Sequence, residues 1–285
     1  TGVFADSVRQ MDKPDASEMI APSQGIHLVL DQRFLGGETA IMIPNTDDGR
    51  VLFAIPWENR MLLGTTDTGG VVPEICPRPM QEEVDYLIDH AGRYLVAKPT
   101  HADIRSMFAG LRPLVVPNQS QSQSTSKISR SHSLTVSDSG LVTMAGGKWT
   151  TYRQMAEDAV DRVIEVGGFD PRPCSTHDLK LLAEESIVSE KIHPELPCTL
   201  DDVDSAVNRE MALTLDDVLS RRTRSLLLDA KAARKIAPAV CQQMAGILGK
   251  GDDWVARELK EFEQIALAYS EPTSHKESVA EPDGS

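Results

Sequence analysis

Over residues 25–66 the apolar side chains come in short runs, at His27–Leu30, Glu38–Pro44, Val51–Pro56 and Met61–Thr66. Polar turns separate them, among them Asp48-Gly49 and Glu58-Asn59. Short β-branched and aromatic runs bounded by turn residues predict strands, and their close succession predicts a β-meander. Over Gln81–Val96 the period changes. Val84, Leu87, Ile88, Ala91, Tyr94 and Leu95 share one helical face, and Pro79 suits a helix start. Residues 103–116 and 127–145 read as extended, with the Ser/Gln-rich Asn118–Ser126 between them as a mobile loop. Leu141–Ala145 predicts a short strand, and Gly146-Gly147 follows it at once. The next helix places Tyr152, Met155, Ala156, Ala159, Val160 and Val163 on one face, and Gly167-Gly168 caps its end.

Residues 170–200 carry prolines and no clear period, which predicts a linker. From Asp201 onward the pattern is helical. Val203, Val207, Met211, Leu215 and Val218 mark one helix. Ala230–Leu248 marks a second, which Pro238 is expected to kink or divide. Asp252–Tyr269 marks a third, with Asp252 or Asp253 as its cap. The last fifteen residues are polar and predict a disordered tail. No internal repeat is visible.

Composition narrows the function classes. The 285 residues suffice for two domains or one large one with a buried core. The formal net charge of −14 argues against a nucleic-acid partner, since such proteins carry basic patches. An anionic substrate would need a local basic pocket. No apolar stretch approaches the length of a spanning helix. Cys76, Cys174, Cys198 and Cys241 are widely spaced, with no C-x-x-C pair, so neither a zinc site nor a disulfide scaffold is indicated, and reduced thiols are expected. The chain starts at Thr1 without a Met or a targeting segment, which reads as a cut inside a larger protein.

Candidate chemistry is densest at Ala145-Gly146-Gly147-Lys148-Trp149-Thr150-Thr151-Tyr152-Arg153. Strand, glycine turn and helix start follow one another. Two glycines let a backbone approach a ligand closely. Thr150 and Thr151 are natural N-caps, and the helix dipole favours an anion or an electron-rich ring edge beside Lys148. A plain strand-to-helix connection with a solvated Lys fits the pattern equally well. In Phe108-Ala109-Gly110-Leu111-Arg112-Pro113-Leu114, Arg112 lies within an apolar segment and needs an anionic partner. That partner is a substrate phosphate, gripped in bidentate fashion, or an internal Asp or Glu. His27 opens a strand, either as a hydrogen-bonded structural residue or as a general base with a pKa near neutrality. Gly64-Thr65-Thr66-Asp67-Thr68 lines a cleft or serves as turn chemistry. Arg221-Arg222-Thr223-Arg224 reads first as a solvated helix end, and less readily as a membrane-surface or inter-domain contact.

These segments occur in a specific order. Thr1-Gly2 with Ala5-Asp6-Ser7-Val8 comes first, then Gly25-Ile26-His27, Phe53-Ala54-Ile55-Pro56-Trp57 and Gly64-Thr65-Thr66-Asp67. Gly110-Leu111-Arg112-Pro113-Leu114, Ile128-Ser129-Arg130-Ser131-His132, the Gly146–Arg153 segment and Arg221-Arg222-Thr223-Arg224 follow. The series resembles the FAD-dependent, quinone-reducing glycerol-3-phosphate dehydrogenases, densely over residues 1–166 and again over 199–270.

The resemblance implies an α+β fold, in which an antiparallel β substrate domain is inserted in a Rossmann-like FAD domain and followed by an all-α C-terminal domain. It places residues 1–19 at the end of an FAD-domain passage and 20–138 in the substrate domain. Residues 139–168 become the return strand and helix of the FAD domain, 169–198 a linker, 199–270 the helical domain and 271–285 a tail. Most of the FAD domain is then missing, since no G-x-G-x-x-G segment occurs, and the linker is shorter than the family's.

The implied reaction is oxidation of glycerol 3-phosphate to dihydroxyacetone phosphate, with hydride transfer to FAD and electrons passed to quinone. The alternatives are a glycerophosphate oxidase using oxygen, and a non-catalytic phosphate-ligand or interaction module. His27, Arg112 and Lys148 resemble the family's catalytic and substrate-binding residues. Gly2, Gly146, Gly147, Lys148, Thr150 and Thr151 resemble its flavin contacts, and no metal is implied. Arg130 and His132 are further candidates without a role. The resemblance also implies a peripheral position on the cytoplasmic or mitochondrial inner membrane, and a homodimer as one option.

Overall fold

The computed structural model describes residues 1–44, 46, 49–116, 131–180 and 189–273. The expected loop at Asn118–Ser126, Arg130, part of the 169–198 linker and the tail from residue 274 lie outside the described residues. A short helix, α1 (Ala5–Asp12), leads into the long strand β1 (Ile20–Asp31). Then come β2 (Ile41–Ile43), β3 (Leu52–Trp57), β4 (Arg60–Gly64), β5 (Thr68–Gly69), helix α2 (Gln81–Tyr94) and β6 (Ser106–Val115). All pairings among these strands are antiparallel, in the order β2-β3-β4-β1. β4 and β5 lie end to end along one edge of β1, and β6 follows the other. Of the meander expected over 25–66, only β2, β3 and β4 follow one another in the sheet, because β1, which carries the first run, pairs with β4 instead of β2. The β3–β4 hairpin turns on Glu58 and Asn59, whose φ of 48° and 59° fit the mirror-image turns that two-residue hairpins favour.

Period 2 in the strands and period 3.6 in α2 meet in one core. Ile26, Leu28 and Leu30 of β1, Leu52 and Ala54 of β3, and Met61 and Leu63 of β4 point to the same face. Val84, Leu87, Ile88 and Ala91 of α2 cover them. Each of the Ile, Leu, Val and Met side chains among them, fully removed from water, contributes about 1.5–3 kcal/mol. The opposite face of the sheet carries the candidate chemistry.

β7 (His132–Val136) and β8 (Val142–Gly146) form a separate antiparallel pair, followed by α3 (Tyr152–Gly167). Gly168, at φ 64°, ends α3 with its N–H bonded to Glu165 O, as the glycine pair predicts. None of the α3 side chains is buried, and Val160, Val163 and Val166 of its apolar side are exposed.

The C-terminal region holds α4 (Leu200–Asn208), a π-helical turn (Asp217–Arg222), α5 (Ser225–Leu228), α6 (Ala230–Leu248) and α7 (Asp252–Ala268). The single helix expected through Val203 and Val218 is two segments. Met211 adopts φ 60° and is exposed. The Asp217 carboxylate accepts the N–H groups of Leu213 and Thr214, and Thr214 Oγ1 accepts Asp217 N–H, so side-chain bonds restart the chain after a break. Val203, Leu215 and Val218 still face one core, and this kept the apolar period intact across the gap.

α6 is continuous through Pro238, which points to solvent, where water can hydrate the carbonyl that loses its N–H partner. At α7 Gly251 is the N-cap, and Asp252 and Asp253 stand in the first turn against the dipole instead of capping. Residues 271–273, expected to belong to the tail, are described and tied to the fold. Thr273 N–H donates to Pro79 O at 2.8 Å, and Gln81 N–H to Thr273 O at 3.0 Å. Further ties join the helices to the sheet: Met107 N–H to Tyr269 O at 2.9 Å, Ala230 N–H to Arg105 O at 3.1 Å, and buried Arg60 to Glu195 at 2.8 Å.

Candidate active site

Alternation along β1 and β6 sends His27, Gly25 and Ser23 to the sheet face opposite α2, together with Phe108, Gly110 and Arg112. The register pairs His27 with Phe108, Gly25 with Gly110 and Ser23 with Arg112. The His27 ring stacks on Phe108, with centroids 5.5 Å apart. On the other side His27 pairs with Gly64, and a Cβ on Gly64 would lie 2.3 Å from its ring. A Cβ on Gly25 would lie 2.1 Å from Arg112 Nη2. These glycines therefore form a floor on which an imidazole and a guanidinium lie flat, a reason for Gly within a strand.

Arg112 is 24% exposed. Its Nη2 donates to Thr65 Oγ1 at 3.0 Å and to Thr66 O at 3.1 Å. Its Nη1 stands 3.7 Å from Asp67 Oδ1, beyond hydrogen-bond reach. An internal carboxylate, the second partner the sequence allowed, is thus close to the guanidinium. Asp67 also accepts a bond from Ser23 Oγ. The segment from Gly64 to Thr68 holds Arg112 through Thr65 and Thr66 and bonds Ser23 through Asp67.

His27 has a pKa lowered to about 4, through burial first and then the charge of Arg112. The expected titration near neutrality is therefore corrected, because a second cation beside a half-buried imidazole disfavours its protonation. At neutral pH the ring is uncharged and has one nitrogen lone pair to accept a bond.

Glu83 was not singled out by the sequence. It is 5% exposed, and its carboxylate accepts from Gln24 Nε2 at 2.7 Å, Thr66 Oγ1 at 2.8 Å, Thr68 Oγ1 at 2.8 Å and Met80 N at 3.1 Å. The available signal was an acidic residue four positions before Leu87, on the apolar side of a predicted helix.

The second candidate region is the β8–α3 turn. Gly146 and Gly147 have φ of 72° and 82°. A Cβ on Gly146 would meet Ser131 O at 2.9 Å, and one on Gly147 would meet Met155 Sδ at 2.4 Å. The glycines are required by the turn and by the chain's own atoms, a tighter reason than ligand approach alone. Thr151 occupies the N-cap position of α3, but its hydroxyl donates to Lys148 O instead of capping. Thr150 makes no cap either, since α3 begins after Thr151. Lys148, Trp149, Thr150 and Thr151 are all exposed at this helix start.

Gly2, with φ 56° and open space at its Cβ position, leads into α1. Ala5, Ile20 and Ala145 form a small cluster with Met19 and Val115, so the Gly2 segment and the Gly146 turn flank common packing. Val115 lies three residues beyond Arg112 in β6, roughly 10 Å along an extended strand. The structure thus brings His27 and Arg112 together, and sets the turn bearing Lys148 at the end of the same strand.

His132 Nε2 lies 2.9 Å from Asp158, tying β7 to α3. Arg221 pairs with Asp216 and Asp217, Arg222 with Glu210, and Arg224 with Glu58 of the β3–β4 turn, so this basic run is used within the fold. The exposed helix start, its uncapped first turn and the positive-φ glycines fit a flat, electron-rich cofactor edge. Both sheets pair only antiparallel strands, so the described residues hold no dinucleotide-binding parallel sheet.

The class follows from sheet, glycine turn and helix taken together. The family described as FAD dependent oxidoreductase matches residues 1–153, and the C-terminal domain of alpha-glycerophosphate oxidase matches residues 175–254. A mitochondrial glycerol-3-phosphate dehydrogenase of Arabidopsis thaliana is 41% identical over 182 residues, 64% of this chain and 28% of the relative. A probable mitochondrial glycerol-3-phosphate dehydrogenase of Caenorhabditis elegans is 33% identical over 300 residues, 87% of this chain and 41% of the relative. The solved glycerol-3-phosphate dehydrogenase of Bacillus halodurans, complexed with FAD, superposes with a TM-score of 0.76 at 25% identity, covering 95% of this chain and 62% of that one. The chain belongs to the FAD-dependent glycerol-3-phosphate dehydrogenase family. It spans 28% and 41% of the two curated relatives' lengths.

Proposed function

We propose that the protein carrying this chain oxidises glycerol 3-phosphate to dihydroxyacetone phosphate, and that this chain supplies its substrate-facing half. The carrying observation is the pairing of Arg112 and neutral His27 on a glycine-cleared sheet face, on the strand that ends beside the Gly146 turn. In this reading Arg112 binds the anionic substrate through its fork of donors. His27 accepts a hydrogen bond from the C2 hydroxyl and takes its proton as the C2–H bond breaks. Lys148, exposed on a mobile stem, places positive charge where negative charge develops. Gly2, Gly146, Gly147, Lys148, Thr150 and Thr151 would hold the flavin ring. FAD, when bound, supplies the hydride acceptor.

The proposed domain arrangement assigns 1–19 and 139–168 to the flavin-binding domain, 20–138 to the substrate domain, 169–198 to a linker and 199–270 to the helical domain. The shared packing of Ala5 with Ala145 supports the first grouping, as does the exposed Val160, Val163 and Val166 of α3, which an added layer would cover. Quinone is the proposed electron acceptor, on a peripheral membrane surface, and a homodimer is compatible. The names of the relatives say mitochondrial, which supports the mitochondrial option and says nothing of the membrane surface. Among the described residues no helix is long and apolar enough to cross a membrane. The match to an alpha-glycerophosphate oxidase domain favours oxygen as the second candidate acceptor.

The test is a visible flavin spectrum of the FAD-reconstituted protein before and after anaerobic glycerol 3-phosphate. Bleaching is expected. Bound flavin that ignores this substrate refutes the activity, and reoxidation by quinone or by oxygen decides the acceptor.

A further inference from the structure

Glu83 lies beneath the sheet, on the side opposite the candidate site, and is over-provided for a helix cap. Capping α2 requires its bond to Met80 N. Its other three bonds reach Gln24 of β1, Thr66 of the turn after β4 and Thr68 at the start of β5. A buried carboxylate is expensive unless donors surround it, and these four converge from three parts of the chain. Thr66 is then held from two sides. Its Oγ1 donates to Glu83 and accepts Ile26 N–H at 3.1 Å, while its carbonyl accepts Arg112 Nη2 at 3.1 Å. The neighbouring Thr65 hydroxyl takes the same Nη2 at 3.0 Å, and Asp67 lies 3.7 Å from Nη1. Thr65, Thr66 and Asp67, which all stand against the Arg112 guanidinium, therefore belong to a short segment in which the Thr66 and Thr68 hydroxyls are bound to Glu83.

We infer that Glu83 is a positioning residue for the anion-binding guanidinium of Arg112, acting through Thr65–Thr68 from the far face of the sheet. This rests on the reading of Arg112 as an anion site. The carboxylate is needed as such because it only accepts. A Gln would turn an N–H₂ toward at least one of the converging donors and release part of the segment.

The experiment measures inorganic phosphate affinity of the chain by calorimetry for wild type, Arg112→Ala, Glu83→Gln and the double variant. Thermal unfolding is followed in parallel. Arg112→Ala is expected to abolish binding. Glu83→Gln is expected to weaken it about tenfold, the equivalent of one hydrogen bond to a charged group. The double variant should match Arg112→Ala. If Glu83→Gln does not fold, Thr66→Val, which cuts the same link with near-constant volume, is judged by the same criterion. Unchanged affinity in Glu83→Gln while Arg112→Ala abolishes binding overturns the positioning role alone. Phosphate bound equally by wild type and Arg112→Ala removes the anion site, and the inference with it.

Discussion

Gly25→Ala moves Arg112 without removing it. The new Cβ would stand 2.1 Å from Nη2, 2.5 Å from Nη1 and 2.6 Å from Cζ. Ordinary carbon contact begins at about 3.5 Å, so the guanidinium must retreat by about 1.4 Å. Its bonds to Thr65 and Thr66 are already 3.0 and 3.1 Å, and a shift of that size breaks both. Hydrogen bonds to charged groups contribute about 1.5–3 kcal/mol each, but a guanidinium that is 24% exposed recovers much of this from water. The expected loss of stability is therefore about 1–2 kcal/mol for the pair. Gly25 has no positive φ, so the alanine itself adds no backbone strain. The displaced fork should raise the KM for glycerol 3-phosphate by about 10- to 100-fold.

The assay is urea unfolding together with steady-state kinetics of the flavin-loaded protein. Gly110→Ala, on the same face but with nothing within 4 Å of its Cβ position, is the stability control and should shift unfolding by less than about 0.5 kcal/mol. An unchanged KM in Gly25→Ala would refute the argument. So would an equal rise in an Arg112→Ala background, where there is no guanidinium left to displace.

Lys148→Ala should lower turnover by about 10²–10³-fold while leaving the unfolding midpoint nearly unchanged, since the side chain is exposed; wild-type turnover would remove Lys148 from the site. The pKa of His27 is about 4 in the fold and near 6.5 when unfolded, so the unfolded chain binds more protons between these values. Its stabilising contribution is full above about pH 6.5 and declines as the pH falls toward 4. His27→Gln should flatten that slope in unfolding measured from pH 7 to pH 4, and an unaltered slope would contradict the shift. Pro238→Ala should raise the unfolding free energy by up to about 3 kcal/mol by restoring a hydrogen bond in a continuous helix, and a lower value would show that the ring is itself packed.

Much of the fold could be read from residue patterns. The apolar run His27–Leu30 placed a strand there, but which of its residues meet α2 was not legible, since Ser23 and Val29 on the other face are buried as well. The 3.6 period of Val84, Leu87, Ile88 and Ala91 fixed the face of α2 that meets the sheet. Where local side-chain bonds compete with the period, as at Leu213–Asp217, the reading failed, because apolar spacing does not register hydrogen bonds between a carboxylate and the backbone. Continuity through Pro238 was equally hidden, since it depends on which way the helix faces solvent.

The sequence by itself determined the elements, the glycine turn before α3, the motif order and hence the family, because these depend on neighbours within a few residues. Only the tertiary structure decided that Gly25 and Gly64 lie under the Arg112 and His27 side chains, that burial and then Arg112 lower the His27 pKa, and that Glu83 holds the turn from behind. Those relations join residues tens of positions apart through strand register and burial. Their energies depend on distances and on exclusion of water, and neither quantity is written along the chain.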